Sequence, residues 1–282
     1  MAETWTVLKV LQWTAGHLSD KGVESARLDA ELLLADLLAL DRVGLYLNYD
    51  RPLQEVELTA YRERVKRRAG REPLQYLLGR TEFWSLALNV SPAVLIPRPE
   101  TEILVEEALK RLPSNAATLD VGTGSGAIAL ALAHERRDLK IIGLDASADA
   151  LQVAAANGAR LALQERVEWS HGDLHQLPAG PFDMVVSNPP YIPKADLAGL
   201  MPEVQKFEPQ VALDGGIDGL EAYRALSSQT DSLSPGGWLL VEVGIGQAED
   251  VRELFGSAGL GELFVRNDLA DIPRVVGGRR CA

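Results

Sequence analysis

The octapeptide Leu119-Asp120-Val121-Gly122-Thr123-Gly124-Ser125-Gly126 ends an apolar strand and opens a helix, and it decides the fold of this chain. Its alternate glycines let the backbone pass close to a ligand and adopt positive φ angles. The free N–H groups and partial positive charge of the helix start suit a carboxylate or a phosphate. We therefore expect Gly122, Thr123, Gly124, Ser125 and Gly126 to bind a cofactor.

From residue 116 onward, strand-like and helix-like segments alternate. Strands are predicted at 116–121, 139–145, 166–170, 182–187, 237–243 and 261–267, and helices at 125–135, 147–162, 217–231 and 246–258. Such alternation is typical of a mainly parallel sheet covered by helices on both faces. The predicted fold class is α/β, a doubly wound, Rossmann-like sheet in which residues 275–278 add a seventh, edge strand.

Residues 1–78 are predicted to form a small all-helical domain. Ser25 is placed to cap a helix with a wide leucine face that includes Leu28, and Gly70 is placed to end a helix over 54–69. The end of that helix carries a basic cluster, Arg62, Arg64, Lys66, Arg67, Arg68 and Arg71. We interpret it as a solvated helix face rather than as a docking site for an acidic partner.

Residues 79–97 are interpreted as a β-hairpin linker. Residues 83–90 alternate between apolar and small or polar side chains, as a strand does, and residues 94–96 supply a second strand. Pro97 and Pro99 stop that strand, and Glu100 opens a helix that runs to about Arg111. The larger domain is therefore expected to span 98–282.

Composition excludes several classes of protein. Of the 282 residues, 46% are apolar, which is enough for a real core, and no apolar run approaches the roughly 18 residues of a membrane span. The start of the chain lacks a basic segment and a cleavage site, so no signal peptide is expected. The one cysteine, Cys281, cannot form an internal disulfide, which suits a reducing cytoplasm.

The net charge of −12 is unevenly distributed. Residues 1–90 carry 12 Lys and Arg against 13 Asp and Glu, whereas residues 91–282 carry 16 against 27. Because DNA binding needs many basic contacts to phosphates, the acidic larger part argues against direct DNA binding.

A second distinctive stretch, Asn188-Pro189-Pro190-Tyr191, follows the predicted strand 182–187. The two prolines remove backbone donors and keep the turn stiff and extended. Its carbonyls, the Asn188 side-chain oxygen and the Tyr191 ring together could hold a planar NH2 group, although the same stretch could also be a rigid turn that merely ends a strand. Because it ends another strand of the same sheet, we expect it to face one crevice with the glycine loop.

Asp145 and Asp173 extend the predicted cofactor site. Asp145 ends the next strand, where doubly wound folds bind ribose hydroxyls, and Asp173 follows the third strand, where it could contact an adenine amino group. His171 and His175 beside Asp173 are interpreted as surface residues, since a metal would need further ligands. We therefore predict no metal site.

The identity of the cofactor stays open on the loop alone. Read as Gly122-x-Gly124-x-x-Ala127, the loop also satisfies the dinucleotide fingerprint of an NAD-dependent oxidoreductase. Asp120 ahead of the loop, together with the turn at 188–191, favours S-adenosylmethionine instead.

The chain resembles the release factor glutamine methyltransferases, called PrmC or HemK, along nearly its whole length. The shared residues include 71–76 (REPLQY), 97–102 (PRPETE), the glycine loop, Asp145, the turn at 188–191, 208–209 and 274–276. The resemblance implies a class I methyltransferase fold. It also implies transfer of a methyl group from S-adenosyl-L-methionine to the N5 of the glutamine in the Gly-Gly-Gln loop of peptide chain release factors 1 and 2, with S-adenosyl-L-homocysteine as the other product.

The same resemblance implies roles for particular residues. The cofactor would contact Gly122–Gly126, Asp145, Asp173, Leu174 and Asn188, and the substrate would contact Asn188, Pro189, Pro190, Tyr191, Arg98, Pro99 and Glu100. Relatives are often aromatic where this chain has Leu174, which offers only apolar contact. The helical domain would dock the substrate, and the protein would act as a cytoplasmic monomer.

Our mechanistic hypothesis is that Asn188 Oδ1 and the Pro189 carbonyl accept the two amide hydrogens of the substrate glutamine. Tyr191 would cover the amide and exclude water. Other functions stay open: methylation of ribosomal protein L3 or of ribosomal RNA, adenine N6 methylation of a flipped DNA base, and a non-catalytic binding module.

Overall fold

The structure is a computed structural model that describes residues 4–281, and it divides into two compact units. The first comprises the chain up to Gly79 together with Met201–Phe207, and the second comprises Arg80–Leu200 and the chain from Glu208 onward. The predicted ranges 1–78, 79–97 and 98–282 did not include the return to the first unit late in the sequence. Residues 1–3 and 282 lie outside the described residues. They include the two limits of the predicted ranges and the start of the segment that was expected to lack a signal peptide.

The bounds of the helices and strands are as follows. The helices are α1 (Val7–Asp20), α2 (Ala26–Leu38), α3 (Arg42–Leu47), α4 (Glu55–Ala69), α5 (Leu74–Leu78), α6 (Thr101–Arg111), α7 (Ala127–Glu135), α8 (Ala148–Arg160), α9 (Pro202–Phe207), α10 (Glu221–Ser227) and α11 (Ala248–Ser257). The strands are β1 (Arg80–Phe83), β2 (Leu86–Asn89), β3 (Ala117–Val121), β4 (Lys140–Asp145), β5 (Val167–His171), β6 (Phe182–Ser187), β7 (Leu233–Glu242), β8 (Leu260–Asn267) and β9 (Pro273–Arg280). Between residues 4 and 281, none of these helices has both the length and the apolar character to span a bilayer.

The first unit packs its helices around a leucine-rich core in which Leu33 and Leu34 are fully buried. α2 begins after Ser25 as predicted, but the Ser25 hydroxyl donates to Asp29 Oδ1 (2.7 Å) instead of accepting a backbone N–H. The predicted leucine face is wrong for Leu28, which is 41% exposed. The apolar face of α2 is therefore narrower than the run of leucines indicates.

The interpretation of the basic cluster at the end of α4 as a solvated face is wrong for Arg68. That side chain is almost wholly buried and donates to Asp29 Oδ2 (2.6 Å) and to Glu203 Oε1 (3.0 Å). Arg71 also donates to Glu203 (Nη2–Oε2, 2.6 Å), from a backbone φ of 72° that is unusual for a residue with a Cβ. The Glu203 carboxylate is only 12% exposed and is paired with both arginines, so this pairing ties α9 to the first unit.

A short hairpin, β1 and β2, begins the second unit. Phe83 pairs with Leu86, and the two residues between them, Trp84 and Ser85, have φ angles of 52° and 57°. This is the backbone of a type I′ hairpin turn, which usually carries Asn or Gly. The prediction of one strand over 83–90 is therefore wrong, as is the strand at 94–96, which has no sheet partner.

The second unit is built on a seven-stranded sheet in the order β5-β4-β3-β6-β7-β9-β8. The first five strands are parallel, and β9 runs antiparallel to both β7 and β8. Separate apolar clusters cover the two faces of the sheet. This architecture confirms the doubly wound α/β fold.

The prediction that residues 275–278 form an edge strand is wrong, because β9 lies between β7 and β8. Val275 and Val276 are fully buried. A Cβ on Gly277 would lie 2.1 Å from the Phe264 ring, and one on Gly278 would lie 2.9 Å from Leu263. The two glycines make room for side chains of β8, which is a property of an interior strand.

Two glycine substitutions should test the packing of the fold. Gly143 in β4 is the register partner of Trp169 in β5, and a Cβ there would lie 2.5 Å from the indole. We expect Gly143→Ala to lower the free energy of unfolding by about 2 kcal/mol because the ring must move. Gly16→Ala, in α1 with no atom within 4 Å of the added Cβ, should raise it by up to about 1 kcal/mol. Urea denaturation followed by circular dichroism measures both, and changes of the same sign would contradict this packing.

Candidate active site

The carboxyl ends of β3, β4, β5 and β6 adjoin a cavity of about 580 Å³. The strand order reverses between β3 and β6, since β4 and β5 lie on one side of that pair and β7 on the other. Open parallel sheets bind ligands at such a reversal. Val121 and Ser187, the last residues of β3 and β6, are register partners, so the glycine loop and the turn at Asn188 begin side by side.

The glycine loop is held against the end of β4 by its own amides. The Gly122 N–H donates to the Leu144 carbonyl (2.8 Å), and the Gly124 N–H donates to Asp145 Oδ2 (2.8 Å). Gly122, Gly124 and Gly126 have φ angles of 72°, 56° and 82°, in the left-handed region that glycine adopts without strain. Gly122 and Gly124 line the cavity, so a ligand can approach the bare backbone there.

Thr123, Ser125 and Gly126 are not part of the cavity lining. The Thr123 hydroxyl donates to Asp120 Oδ2 (2.6 Å), and burial raises the pKa of the fully enclosed Asp120 carboxyl to about 7. The Ser125 carbonyl accepts from Asn157 Nδ2 (2.9 Å). These hydrogen bonds stabilise the conformation of the glycine loop from its buried side.

Asp145 lines the cavity from the end of β4. Its Oδ2 accepts from the Gly124 N–H (2.8 Å) and its Oδ1 from the Ser147 N–H (2.9 Å). Each oxygen of an ionised carboxylate has two lone pairs, so each can still accept one hydrogen bond from a ligand hydroxyl. A pair of vicinal hydroxyls, as on a ribose, matches this arrangement.

The segment after β5 adds Asp173 and Leu174 to the cavity wall. Asp173 is exposed, and its Oδ1 accepts from the His175 N–H (2.8 Å). Leu174 packs on the core and gives the wall an apolar surface. Over residues 4–281 no cluster of three or more His, Cys, Asp or Glu side chains is arranged to hold a metal ion.

Asn188 and Pro190 line the cavity, whereas Pro189 and Tyr191 do not. Asn188 Nδ2 donates to Thr101 Oγ1 (3.2 Å). The Asn188 amide is therefore oriented with its donor end bound to the protein, which leaves Oδ1 to accept a hydrogen bond from a ligand.

Tyr191 is held at both its hydroxyl and its backbone. The hydroxyl donates to Glu242 Oε1 (3.4 Å), and the carbonyl accepts from Gln247 Nε2 (2.9 Å). Burial, reinforced by the charge of Glu242, raises the pKa of the Tyr191 phenol. The phenol is therefore a neutral donor at physiological pH.

The helix predicted at 217–231 is wrong at both ends, since α10 runs only from Glu221 to Ser227. The residues before it form a loop against the turn at 188–191, with a parallel bridge between Ile192 and Asp214. A Cβ on Gly215 would lie 2.8 Å from the Tyr191 backbone. Glycine permits this close approach of two chain segments.

Arg98, Pro99 and Glu100, predicted to contact the substrate, are not part of the cavity lining. Arg98 Nη2 pairs with Glu208 Oε1 (2.7 Å), and the buried Glu208 Oε2 has no hydrogen-bond partner among residues 4–281. Glu100 is the residue immediately before α6. The segment leads directly into Thr101, the partner of Asn188.

Thr101 and Glu242 support the Asn188 turn, although neither of them was predicted from the sequence to have a role at the site. Thr101 Oγ1 donates to Glu242 Oε2 (2.6 Å), and the two residues are 4% and 2% exposed. Burial raises the pKa of Glu242 to about 7, although hydrogen bonds from Thr101 and Tyr191 oppose the shift. One signal was available, since this acid directly follows the apolar run 238–241 (WLLV) at a strand end.

The stability of a Glu242→Gln variant should depend on pH differently from that of the unaltered protein. The pKa of Glu242 in the folded protein is about 7, above its ordinary value of 4.5, so the folded state binds this proton more tightly than the unfolded state. The stability that the proton contributes is present below the unfolded pKa and is lost as pH rises through the folded pKa.

Glutamine does not titrate, so the variant should gain about 3 kcal/mol relative to the unaltered protein between the two ends of that pH window. Urea unfolding of both proteins on either side of the window measures the gain. A difference in stability that stays constant with pH would contradict the assignment.

Comparison with known proteins bears on what this site does. Residues 9–79 match the family model of the PrmC N-terminal domain, and residues 99–201 match that of the methyltransferase small domain. A crystal structure of a methyltransferase from Pyrococcus furiosus is similar in fold, with a TM-score of 0.53 at 18% identity over 70% of this chain and 90% of that one.

Two curated relatives are similar along almost the whole chain. The release factor glutamine methyltransferase of Geobacter sulfurreducens is 52% identical over 280 residues, which is 98% of both chains. That of Caulobacter vibrioides is 43% identical over 279 residues, 97% of this chain and 96% of its own. The chain therefore belongs to the release factor glutamine methyltransferase family.

Proposed function

We propose that this protein transfers the methyl group of S-adenosyl-L-methionine to the side-chain N5 of the glutamine in the Gly-Gly-Gln motif of peptide chain release factors 1 and 2. Its near-full-length relatives are named for methylating a release factor glutamine. The observation that supports the proposal most is the orientation of Asn188, whose Nδ2 is bound to Thr101 while Oδ1 remains to accept an N–H. This group lines the same cavity as Asp145 and the glycine loop.

The cavity fits S-adenosylmethionine in size and chemistry. Its volume of about 580 Å³ lies within the roughly 300–1,000 Å³ of small-molecule sites. Asp145 would hold the ribose hydroxyls, and Asp173 with Leu174 would contact the adenine. The N–H groups of Gly122, Thr123 and Gly124 are already bonded to Leu144 and Asp145, so the role of the loop would be to let the cofactor approach its bare backbone at Gly122 and Gly124. When bound, the cofactor supplies an electrophilic methyl group on a sulfonium and leaves as S-adenosyl-L-homocysteine.

The turn at Asn188 would hold the substrate amide. An amide nitrogen is a poor nucleophile because its lone pair is delocalised into the carbonyl. Asn188 Oδ1 and the Pro189 carbonyl accept its two hydrogens, which orients the nitrogen and stabilises the positive charge that grows there. The prolines keep this pair of acceptors stiff, and Tyr191 closes the site against water.

The remaining predicted residues act through their neighbours. Arg98, fixed by Glu208, and Pro99 with Glu100 shape the substrate pocket by holding the start of α6, where Thr101 contacts Asn188. The glycine-loop residues Thr123, Ser125 and Gly126 shape the cofactor site.

We assign release factor docking to the helical domain at 1–78, a linking role to 79–97 and catalysis to 98–282. The first unit exposes apolar side chains in and beside α3, with Val43 63%, Leu47 77% and Tyr49 54% exposed. Exposed apolar groups close together favour a protein partner. The acidic larger part of the chain disfavours DNA. The protein would act as a monomer in the cytoplasm, where release factors act.

Mass spectrometry tests the proposal directly. Purified release factor is incubated with the protein and S-adenosylmethionine, and the peptide that contains the Gly-Gly-Gln motif is examined for one added methyl group on the glutamine. Ribosomal protein L3 and adenine-containing DNA serve as competing substrates, and calorimetry compares S-adenosylmethionine with NAD. Methylation of L3 or DNA without methylation of release factor would overturn the substrate, and binding of NAD alone would overturn the reaction class.

A further inference from the structure

A buried chain of hydrogen bonds runs from the cavity into the core of the second unit. Asn188 Nδ2 donates to Thr101 Oγ1 (3.2 Å), Thr101 Oγ1 donates to Glu242 Oε2 (2.6 Å), and the Tyr191 hydroxyl donates to Glu242 Oε1 (3.4 Å). Thr101 and Glu242 are both nearly inaccessible to solvent. One carboxylate thus contacts the side chains at both ends of the Asn188–Tyr191 turn, directly or through one hydroxyl.

The direction of these hydrogen bonds is fixed by the carboxylate. When Glu242 is ionised it can only accept, so the single hydroxyl hydrogen of Thr101 must then point to Glu242. The lone pairs of Thr101 then face Asn188, which can satisfy them only with Nδ2. The oxygen and nitrogen ends of the Asn188 amide are similar in shape, and this chain of hydrogen bonds selects which of them faces the cavity.

We infer that Glu242, acting through Thr101, is a positioning residue that sets the orientation of the Asn188 amide and thereby lets the site accept an NH2 group. This inference rests on the proposed function for its consequence in turnover, but the orientation itself is independent of the substrate. With Thr101 unable to accept, Asn188 loses the bond that holds Nδ2 and is free to turn its donor end to the cavity. A donor there repels the amide hydrogens of the substrate.

The surroundings of Glu242 explain why its ionisation matters. Arg274 favours the ionised form and Glu100 opposes it, while Arg274 is itself paired with Asp268 (2.8 Å). The Tyr223 hydroxyl donates to the Glu242 main-chain carbonyl (3.0 Å) and leaves the carboxylate to Thr101 and Tyr191. A protonated Glu242 could donate to Thr101 and so reverse the direction of these hydrogen bonds. Turnover should therefore fall as the pH drops through about 7, the pKa of Glu242.

Two substitutions of Thr101 separate positioning from packing. Thr101→Ser keeps the hydroxyl that both accepts from Asn188 and donates to Glu242, whereas Thr101→Val keeps the shape and loses it. Thr118→Val is the matched control, because the Thr118 hydroxyl is fully buried without a hydrogen-bond partner within residues 4–281. We expect Thr101→Val and Glu242→Gln to lower kcat by about tenfold, with KM and the dissociation constant of S-adenosylmethionine nearly unchanged.

The control and Thr101→Ser should keep kcat close to that of the unaltered protein, and Glu242→Gln should lose the decline toward low pH. Nitrogen-15 NMR of the Asn188 side chain, assigned by its absence in Asn188→Ala, gives a readout without substrate. Its Nδ2 hydrogens should exchange with solvent about tenfold faster in Thr101→Val than in Thr101→Ser.

The outcomes distinguish this inference from the proposed function. If the unaltered protein methylates no release factor, the proposed function fails, and the NMR comparison alone decides the orientation of Asn188. Equal exchange rates in Thr101→Val and Thr101→Ser would overturn the inference. So would a full kcat in Thr101→Val, or a loss in Thr118→Val as large as that in Thr101→Val.

Discussion

Replacing Asn188 with alanine is expected to lower kcat for methylation of release factor by about 100-fold. The variant loses the side-chain acceptor for one amide hydrogen of the substrate, and the Pro189 carbonyl alone cannot orient the nitrogen. The loss falls mainly on kcat because the acceptor stabilises charge that appears only in the transition state. Steady-state kinetics with the cofactor at saturation measures it.

Asn188→Asp and Asn267→Ala complete this experiment. Asn188→Asp keeps an acceptor but loses the hydrogens that bond Thr101, so it should also be impaired. Asn267→Ala removes a side-chain amide in β8 that, among residues 4–281, donates to Asp271 Oδ1 (2.7 Å) and is not part of the cavity lining, so it should behave as the unaltered protein. Full turnover by Asn188→Ala would show that another group accepts the amide hydrogens.

Replacing Asp145 with alanine is expected to weaken binding of S-adenosylmethionine by about 100-fold. Two hydrogen bonds from ribose hydroxyls to a charged acceptor contribute roughly 1.5 kcal/mol each at the lower end of their range, and their sum corresponds to a factor of about 100 in the dissociation constant. The Gly124 and Ser147 amides also lose their acceptor, which loosens the glycine loop and adds to the loss. Isothermal titration calorimetry measures the change directly.

Asp149→Ala is the matched control for this substitution. Asp149 lies in the first turn of α8, is exposed and is not part of the cavity lining, so its removal changes the local charge by the same amount without removing a ligand. Its dissociation constant should stay within about threefold of the unaltered value, the scale of an exposed charge. Equal losses in both variants would mean that Asp145 acts only through the net charge.

The parts of the site that could be predicted from the sequence are those with a local backbone requirement. The glycine loop and the proline turn can be recognised by residue type. Glycine permits the positive φ angles that the loop needs, and proline fixes φ and removes the backbone N–H in the turn. Asp145 follows from the same logic, since the carboxyl ends of parallel strands share an edge of the sheet. The alternation of strand-like and helix-like segments after residue 116 was then enough to predict the doubly wound fold.

The parts that escaped prediction depend on contacts between distant segments. Thr101 and Glu242 are 141 positions apart, and no local pattern marks them as partners. Glu203 binds Arg68 and Arg71 across 135 and 132 positions, so the return of α9 to the first unit could not be read from the segment itself. The interior place of β9 is likewise a matter of strand order, which a run of four apolar and glycine residues does not encode.

The prediction of one strand over 83–90, where the structure has a hairpin turn, was wrong for a different reason. Trp84 and Ser85 adopt φ angles that normally call for Asn or Gly, and the apparent alternation of 83–90 concealed the turn. The buried side chains of Phe83, Leu86 and Leu88 hold the hairpin against the core of the second unit. Tertiary packing thus imposes a backbone that the local sequence disfavours.

A crystal structure of the protein with S-adenosyl-L-homocysteine and a peptide containing Gly-Gly-Gln tests the central claim most directly. We predict that the glutamine amide nitrogen lies within hydrogen-bond distance of both Asn188 Oδ1 and the Pro189 carbonyl, with its free face toward the cofactor sulfur. A glutamine bound elsewhere, or a sulfur atom on the far side of the Asn188 turn, would contradict it.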